Sequence, residues 1–262
     1  MNSTRRQTVL EVVSLVAVPL ALIICLVAQV AHTALVSTIV VALALVPFIL
    51  GLEREKLKPK NIMPIVVLAA LAVVGRIIFA PFPNIKPMSA IIIMAGAAFG
   101  RRSGFMTGLL AALISNIFFG QGPWTLWQMY AWGLMGYGAG ALAERGILKG
   151  RLSVLVYGAL APLGYGLILD SHYFFGYVGE ISVASAVAAY SLGLVGSLAH
   201  SVATVAFLAV IYLPWERKLS RIKQKYGIGD DERSCVGERS RVGESLTEPP
   251  PAPEVEHKAL DN

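Results

Sequence analysis

Charged side chains are scarce in this sequence: Asp, Glu, Lys and Arg make up 15% of 262 residues, against 56% hydrophobic and a mean hydropathy of +0.66. So few polar groups cannot cover a soluble domain of this length, and the chain reads as a membrane protein. Cysteine is nearly absent. Cys25, in an apolar run, and Cys235, near the C-terminus, make neither a disulfide framework nor a metal site, so no metal and no cofactor is expected. A Gly-x-x-x-x-Gly-Lys-Ser/Thr phosphate loop is missing, which excludes ATP binding by that route. Gly-x-Ser-x-Gly and His-Glu-x-x-His are missing too, which removes the usual hydrolase chemistries. The acidic residues before position 229 are Glu11, Glu53, Glu55, Glu144, Asp170, Glu180 and Glu216, all at the ends of apolar runs or in loops. Carriers coupled to protons or sodium keep carboxylates near the bilayer midplane, so secondary transport is disfavoured.

What is present is a series of apolar windows, each near the roughly 20 residues that span a bilayer: 12–31, 34–52, 61–80, 87–100, 103–120, 124–143, 152–170 and 187–213. The first follows Arg5 and Arg6. Its apolar stretch exceeds the usual length of a signal-peptide core and no small-x-small cleavage site follows, so it reads as a retained span. Lys and Arg in short loops mark the cytoplasmic side. Alternate loops carry Arg54, Lys56, Lys58 and Lys60, then Arg101 and Arg102, then Arg145, Lys149 and Arg151. Arg217, Lys218, Arg221, Lys223 and Lys225 follow the last span, and the opposite loops hold Lys86 alone. The expectation is a multi-pass protein of the cell (plasma) membrane with both termini cytoplasmic. Charge is split along it: residues 1–228 hold 18 Lys+Arg against 7 Asp+Glu, and residues 229–262 hold 4 against 9. The expected fold class is an all-α integral membrane protein in three parts. Residues 1–60 form a transmembrane hairpin, lipid-facing and without chemistry, and a basic cytoplasmic loop; residues 61–228 form a six-helix membrane domain. Residues 229–262, rich in Glu, Ser and Pro, form a disordered acidic cytoplasmic tail.

Small residues recur at four-residue spacing: Gly104, Gly108 and Ala112 in one span, Gly136 and Gly140 in another. They permit close backbone approach, either as ordinary bundle packing or as a sliding face for a partner helix. Polar residues inside spans are costly and so are candidates for function. Arg76 lies about a turn inside its outer end, where it either snorkels to the headgroups or serves a site. Ser115 and Asn116 fit interhelical hydrogen bonding, and His200 fits a neutral imidazole bonded to a nearby Ser or Tyr better than a proton relay. The densest unusual segment is Asn116 to Trp132, where Gly120, Gly122 and Pro123 make a turn and start the next helix. There Trp124, Gln128 and Trp132 share one face and Trp127 points elsewhere. An aromatic belt would explain the tryptophans, but a belt needs no glutamine, so a binding wall is favoured. The stiff loop Pro81 to Pro87, with Asn84 and Lys86, and the aromatic segment Asp170 to Tyr177, with Tyr173, either roof an outward pocket or anchor at the interface.

These residues carry a resemblance. Gly75-Arg76, the Pro83 to Pro87 loop, Ala90 to Gly100 and above all F-F-G-Q-G-P-W-T-L-W-Q-M (Phe118 to Met129) resemble substrate-binding (S) components of energy-coupling-factor (ECF) transporters, closest to the cobalamin-type branch. The resemblance covers about a third of the chain. It implies a six-helix vitamin-binding subunit without its own ATPase that works with a membrane coupling subunit and two ATPases, in an ABC-type importer. Substrate contacts are then expected from Arg76, Asn84, Lys86, Asn116, Gln121, Trp124, Gln128, Trp132, Asp170 and Tyr173. Partner coupling is expected from Ala69, Ala72, Gly104, Gly108 and Ala112. The chain departs from the family in its extra N-terminal hairpin and in having Ala69, Ala70, Ala72 and Gly75 without an exact Ala-x-x-x-Ala. Aromatic planes and an amide suit a corrinoid, a flavin or a purine alike, with cobalamin as first expectation. The partners are thus a small-molecule vitamin, the lipid bilayer and the coupling subunits, with no nucleic acid. The competing reading is an integral-membrane enzyme or assembly factor using Asp170, His172 and Arg76 on the outer side. A passive channel would need a polar stripe through a whole span, which is missing.

Overall fold

The computed structural model describes residues 33–54, 59–178 and 182–226, with Val13, Ala17, Val18 and Leu20 before them. The described residues from Thr33 onward form seven helices in order: α1 (Thr33–Arg54), α2 (Pro59–Ile78), α3 (Met88–Phe99), α4 (Arg101–Phe119), α5 (Pro123–Glu144), α6 (Arg151–Tyr177) and α7 (Val183–Tyr226). Strands do not occur among the described residues. In a bilayer every backbone polar group must be satisfied within the chain, and helices do this segment by segment. α4, α6 and the Val183–Lys225 stretch of α7 are long and apolar enough to cross a membrane, and α1, α2 and α3 contain shorter apolar runs. The six windows after residue 60 coincide with α2 to α7. The window 12–31 and the acidic tail 229–262 lie outside the described residues, apart from those isolated positions in the window.

Two helices run beyond their apolar windows. α6 continues to Tyr177 and α7 covers 44 residues, about 66 Å at 1.5 Å per residue. The sequence reading ended the last span at residue 213, just before Pro214, yet the helix carries on through that proline. A proline removes one backbone hydrogen bond. Here Leu219 buries and Trp215 packs against the core, and Lys223 Nζ donates to the Ala98 carbonyl at 3.0 Å, so tertiary contacts hold the extension. Lys223 also complements the negative end of α3.

The centre of the bundle is α3, whose residues from Met88 to Gly96 are all buried. It packs against α4 and α5, the most intimate helix pair with α5 against α4. Glycine makes this possible. A methyl group at Gly104 would overlap the Gly136 carbonyl, one at Gly108 the Trp132 carbonyl, and one at Gly140 the Arg101 backbone. Chain reversal between α3 and α4 uses Gly100 at φ +92°, in the left-handed region that favours glycine. Beside it Glu144, the last residue of α5, accepts from the Arg101 backbone N–H at 2.9 Å, placing an anion at the start of α4. α1 is more than a lipid-facing element: it buries Ser37, Val41, Ala44 and Leu45 as it packs on α5 and α6. The indole N–H of Trp127 reaches the Thr38 hydroxyl at 3.5 Å.

Candidate binding site

Two connections, 79–87 and 120–122, lie at the bundle end opposite the α3–α4 and α5–α6 turns. Beneath them the adjoining ends of α2, α4 and α5 carry a polar network. Arg76, on the last turn of α2, is buried at 6% exposure. It is therefore turned into the bundle and does not snorkel. A side chain at Gly75 would strike Pro87, so the loop lies directly on the last turn of α2 beside Arg76. Its Nη1 donates to Ser115 Oγ and, at 2.9 Å, to Asn116 Oδ1. The Asn116 amide donates onward to Gln128 Oε1 at 2.8 Å and Thr125 Oγ1 at 3.1 Å. Thr125 donates to Gln121 Oε1 at 2.9 Å, and Gln121 closes on the Leu113 carbonyl at 3.0 Å. Arg76, Asn116, Gln121 and Gln128 thus form one connected network, bridged by Ser115 and Thr125.

An aromatic and imidazole layer borders it. The Arg76 guanidinium lies 4.8 Å from the Phe119 ring centroid and 4.9 Å from that of Trp132, both within cation–π range. Trp132 packs against Tyr165 at 4.6 Å with the rings tilted by 39°, and Tyr165 meets His200 edge-on at 5.2 Å. Ser89 joins the two sides: Trp132 Nε1 donates to its hydroxyl at 3.1 Å, and His200 Nε2 sits 2.7 Å from the same oxygen. His200 has the serine and tyrosine neighbours expected of a structural imidazole. Lys86, half-buried in the loop, places its ammonium 5.5 Å from the Phe119 centroid. Burial and the nearby Arg76 charge together hold its pKa below the ordinary lysine value.

The remaining sequence candidates separate. Trp124 folds back over Gly122, and its N–H donates to the Gly120 carbonyl at 3.3 Å. The Trp124–Gln128–Trp132 face is therefore not a continuous wall, because the first tryptophan closes the turn. Trp127 is fully buried and packs 5.4 Å from the His172 ring. Asn84, at φ +59°, lies beside Gly196 of α7. Tyr173 is exposed and stacks on Tyr177 at 5.9 Å. Asp170 packs against Gly193 and lines a cavity of about 780 Å³ between α6 and α7, with Leu163, Leu167, Tyr190, Leu194 and Ser197. Asp170, His172 and Arg76 therefore do not converge, and the enzyme reading loses its constellation. Ser89, Phe119, Thr125 and Tyr165 were missed as site residues. Ser89 gave the clearest signal, as the polar residue in an otherwise apolar helix.

The small-residue positions also need correction. Ala69, Ala72, Gly104, Gly108 and Ala112 are buried within this chain, and Gly104 and Gly108 face α5. They serve its own packing, since backbones this close leave no room for a second helix.

The described residues thus form an all-α multi-pass bundle with a buried cation–amide–aromatic cluster beneath the loops at one end. Residues 56–216 match the family model described as ECF-type riboflavin transporter, S component, and the chain belongs to this family. It is thus a substrate-specific component of an ECF transporter and no enzyme, with a small-molecule vitamin substrate and a membrane-embedded energy-coupling module as partner. No solved structure matches the chain.

Proposed function

We propose that this chain captures riboflavin at the outer face of the cell membrane and passes it inward through a coupling subunit driven by two ATPase subunits. The supporting observation is the Arg76–Asn116–Gln128 network set against Trp132 and Phe119. A flat heteroaromatic ring with carbonyl and imide edges needs a stacking plane and a donor–acceptor pair. Trp132 and Phe119 supply planes, the Gln128 and Asn116 amides supply both hydrogen-bond senses, and Arg76 supplies a charged donor. Riboflavin takes precedence over cobalamin because the matching family is the riboflavin type. Loop 79–87 forms the lid: Phe79 packs edge-on against Phe207 of α7 at 5.1 Å and Asn84 abuts the same helix, so lifting the loop opens the cluster. Asn84, Lys86 and Gln121 act at the rim, while Asp170, Tyr173 and Trp124 lie apart from the cluster. Coupling uses the end carrying the basic turns and the α7 extension.

The test is direct titration. The purified chain in detergent should quench flavin fluorescence on binding, and Trp132→Ala should weaken that binding about tenfold, given roughly 1 to 3 kcal/mol per stacked base. Binding of cobalamin with no binding of riboflavin would reverse the order of the two vitamins.

A further inference from the structure

The cleft between α6 and α7 shares no residue with the Arg76 cluster. Its two helices run antiparallel and touch through glycine: a methyl group at Gly158 would meet Leu208, one at Gly166 the Ser197 hydroxyl, and one at Gly193 the Asp170 carboxylate. The cavity of about 780 Å³ is lined from Leu163 to Asp170 on α6 and from Val183 to Ser197 on α7, and its size is that of a small-ligand pocket. Leucine and valine make most of the wall, and Asp170 is the charged residue in it. Among the described residues Asp170 takes part in no ion pair, and neither its carboxylate nor the hydroxyl of Ser197, buried at 8% exposure, has a hydrogen-bond partner. A carboxylate set among apolar side chains costs desolvation unless a cation meets it.

Depth in the bilayer says what kind of cation. Arg151, which donates to the Ala209 carbonyl, marks the basic end of the helix pair. Asp170 lies about 29 Å further along α6 at 1.5 Å per residue, close to the roughly 30 Å of hydrocarbon in a bilayer. The carboxylate thus sits at headgroup depth in the leaflet away from the basic turns. From it Leu167, Leu163 and Leu160 follow at helical spacing on one face of α6. Leu160 and Leu167 are exposed, as are Leu194 and Leu198 of α7, so the cleft is continuous with the surface that meets lipid. From Asp170 to Leu160 is about 15 Å, the depth of one leaflet.

We propose that the cleft binds one phospholipid with a primary ammonium headgroup, phosphatidylethanolamine, its ammonium on Asp170 and one acyl chain along Leu167, Leu163 and Leu160. A compact ammonium offers three donors, which the carboxylate and the Ser197 hydroxyl accept. A quaternary ammonium has no N–H to give and is held by aromatic cages, whereas the aromatic residue of this lining is Tyr190, its hydroxyl already paired with Ser171 at 2.8 Å. An anionic headgroup meets repulsion from Asp170, and a water-soluble cation has no use for an apolar track one leaflet long. The site is independent of the flavin reading and stands or falls without it.

The experiment uses the full-length chain, stripped of lipid in a maltoside detergent and titrated with phosphatidylethanolamine, phosphatidylcholine or phosphatidylglycerol of identical chains. Bound copies are counted by native mass spectrometry. Phosphatidylethanolamine should saturate at one tight copy per chain and bind about tenfold tighter or more than either of the others. Asp170→Asn keeps the shape and removes the charge. It should bring phosphatidylethanolamine down to the level of phosphatidylcholine with the melting temperature in detergent alone unchanged. Leu167→Trp tests the same site from an exposed position that leaves Asp170 in place: the indole fills the track and should weaken phosphatidylethanolamine about tenfold as well. Equal affinity of the parent chain for the three lipids, or a preference that survives both substitutions, would overturn the proposal. So would glycerophosphoethanolamine, the headgroup without chains, if it bound as tightly as the whole lipid, since the cleft would then belong to a soluble cation.

Discussion

A guanidinium inside a membrane bundle is tolerated where its protons find acceptors or a water-filled cavity. Arg76 finds Ser115 and Asn116, and Asn116 in turn satisfies Gln128 and Thr125. Asn116 is thus the residue on which the network depends. Asn116→Ala leaves a buried cation with one acceptor fewer and Gln128 without its donor, a loss of about 1 to 3 kcal/mol per unsatisfied group. The expected outcome is a lower melting temperature in detergent together with flavin affinity weakened about tenfold or more. A variant that melts and binds like the parent would remove Asn116 from the site. Arg76 and Asn116 were legible in the sequence because polar residues within apolar spans are rare. Their connection was not, since 40 residues separate them and only the packing of α2 against α4 brings them together.

At the scale of elements, helix positions followed from apolar run length, and contacts between helices followed from glycine. The pattern Gly104, Gly108, Ala112 could equally have faced a partner, because a small-residue stripe looks the same from either side. Backbone proximity decided the matter: any side chain at Gly108 meets the Trp132 carbonyl, and one at Gly104 meets that of Gly136. Gly108→Leu should therefore separate α4 from α5 and destabilise the fold by about 1 to 3 kcal/mol or more, displacing Trp132 and reducing ligand binding with it. Gly164, exposed on α6 with open space around it, is the matched control. Gly164→Ala should leave melting unchanged or raise it by up to about 1 kcal/mol of stability, the usual helix preference of Ala over Gly. Melting curves in one detergent compare the two; equal behaviour would disprove the close-packing account.

For the whole molecule, polarity along the bundle axis carries the function. The α3–α4 turn with Arg101 and Arg102, the α5–α6 turn and the Lys223 region of α7 gather at one end, joined by the Lys223–Ala98 contact and by Arg151 donating to the Ala209 carbonyl at 2.9 Å. The candidate site lies at the other end. From the preference of basic loops for the cytoplasm, we propose that the site faces outward and the coupling end inward. A single cysteine at position 102, in a background lacking Cys25 and Cys235, should react with a membrane-impermeant maleimide only after cells are opened. Labelling of intact cells would invert the molecule and put the site on the wrong side for capture.

The sequence by itself determined the medium and the number and place of the helices after residue 60. These depend on run length, loop charge and residue type, which are local quantities. It did not determine which of the polar residues meet, nor which way Trp124, Asp170 and the glycines face. Trp124 and Trp132 occupy equivalent positions on one helix, yet one closes a turn and the other packs tilted against Tyr165. The difference lies in the neighbours that α3, α4 and α6 supply, and those come from helices distant in sequence, so only the tertiary packing assigns each side chain its partner.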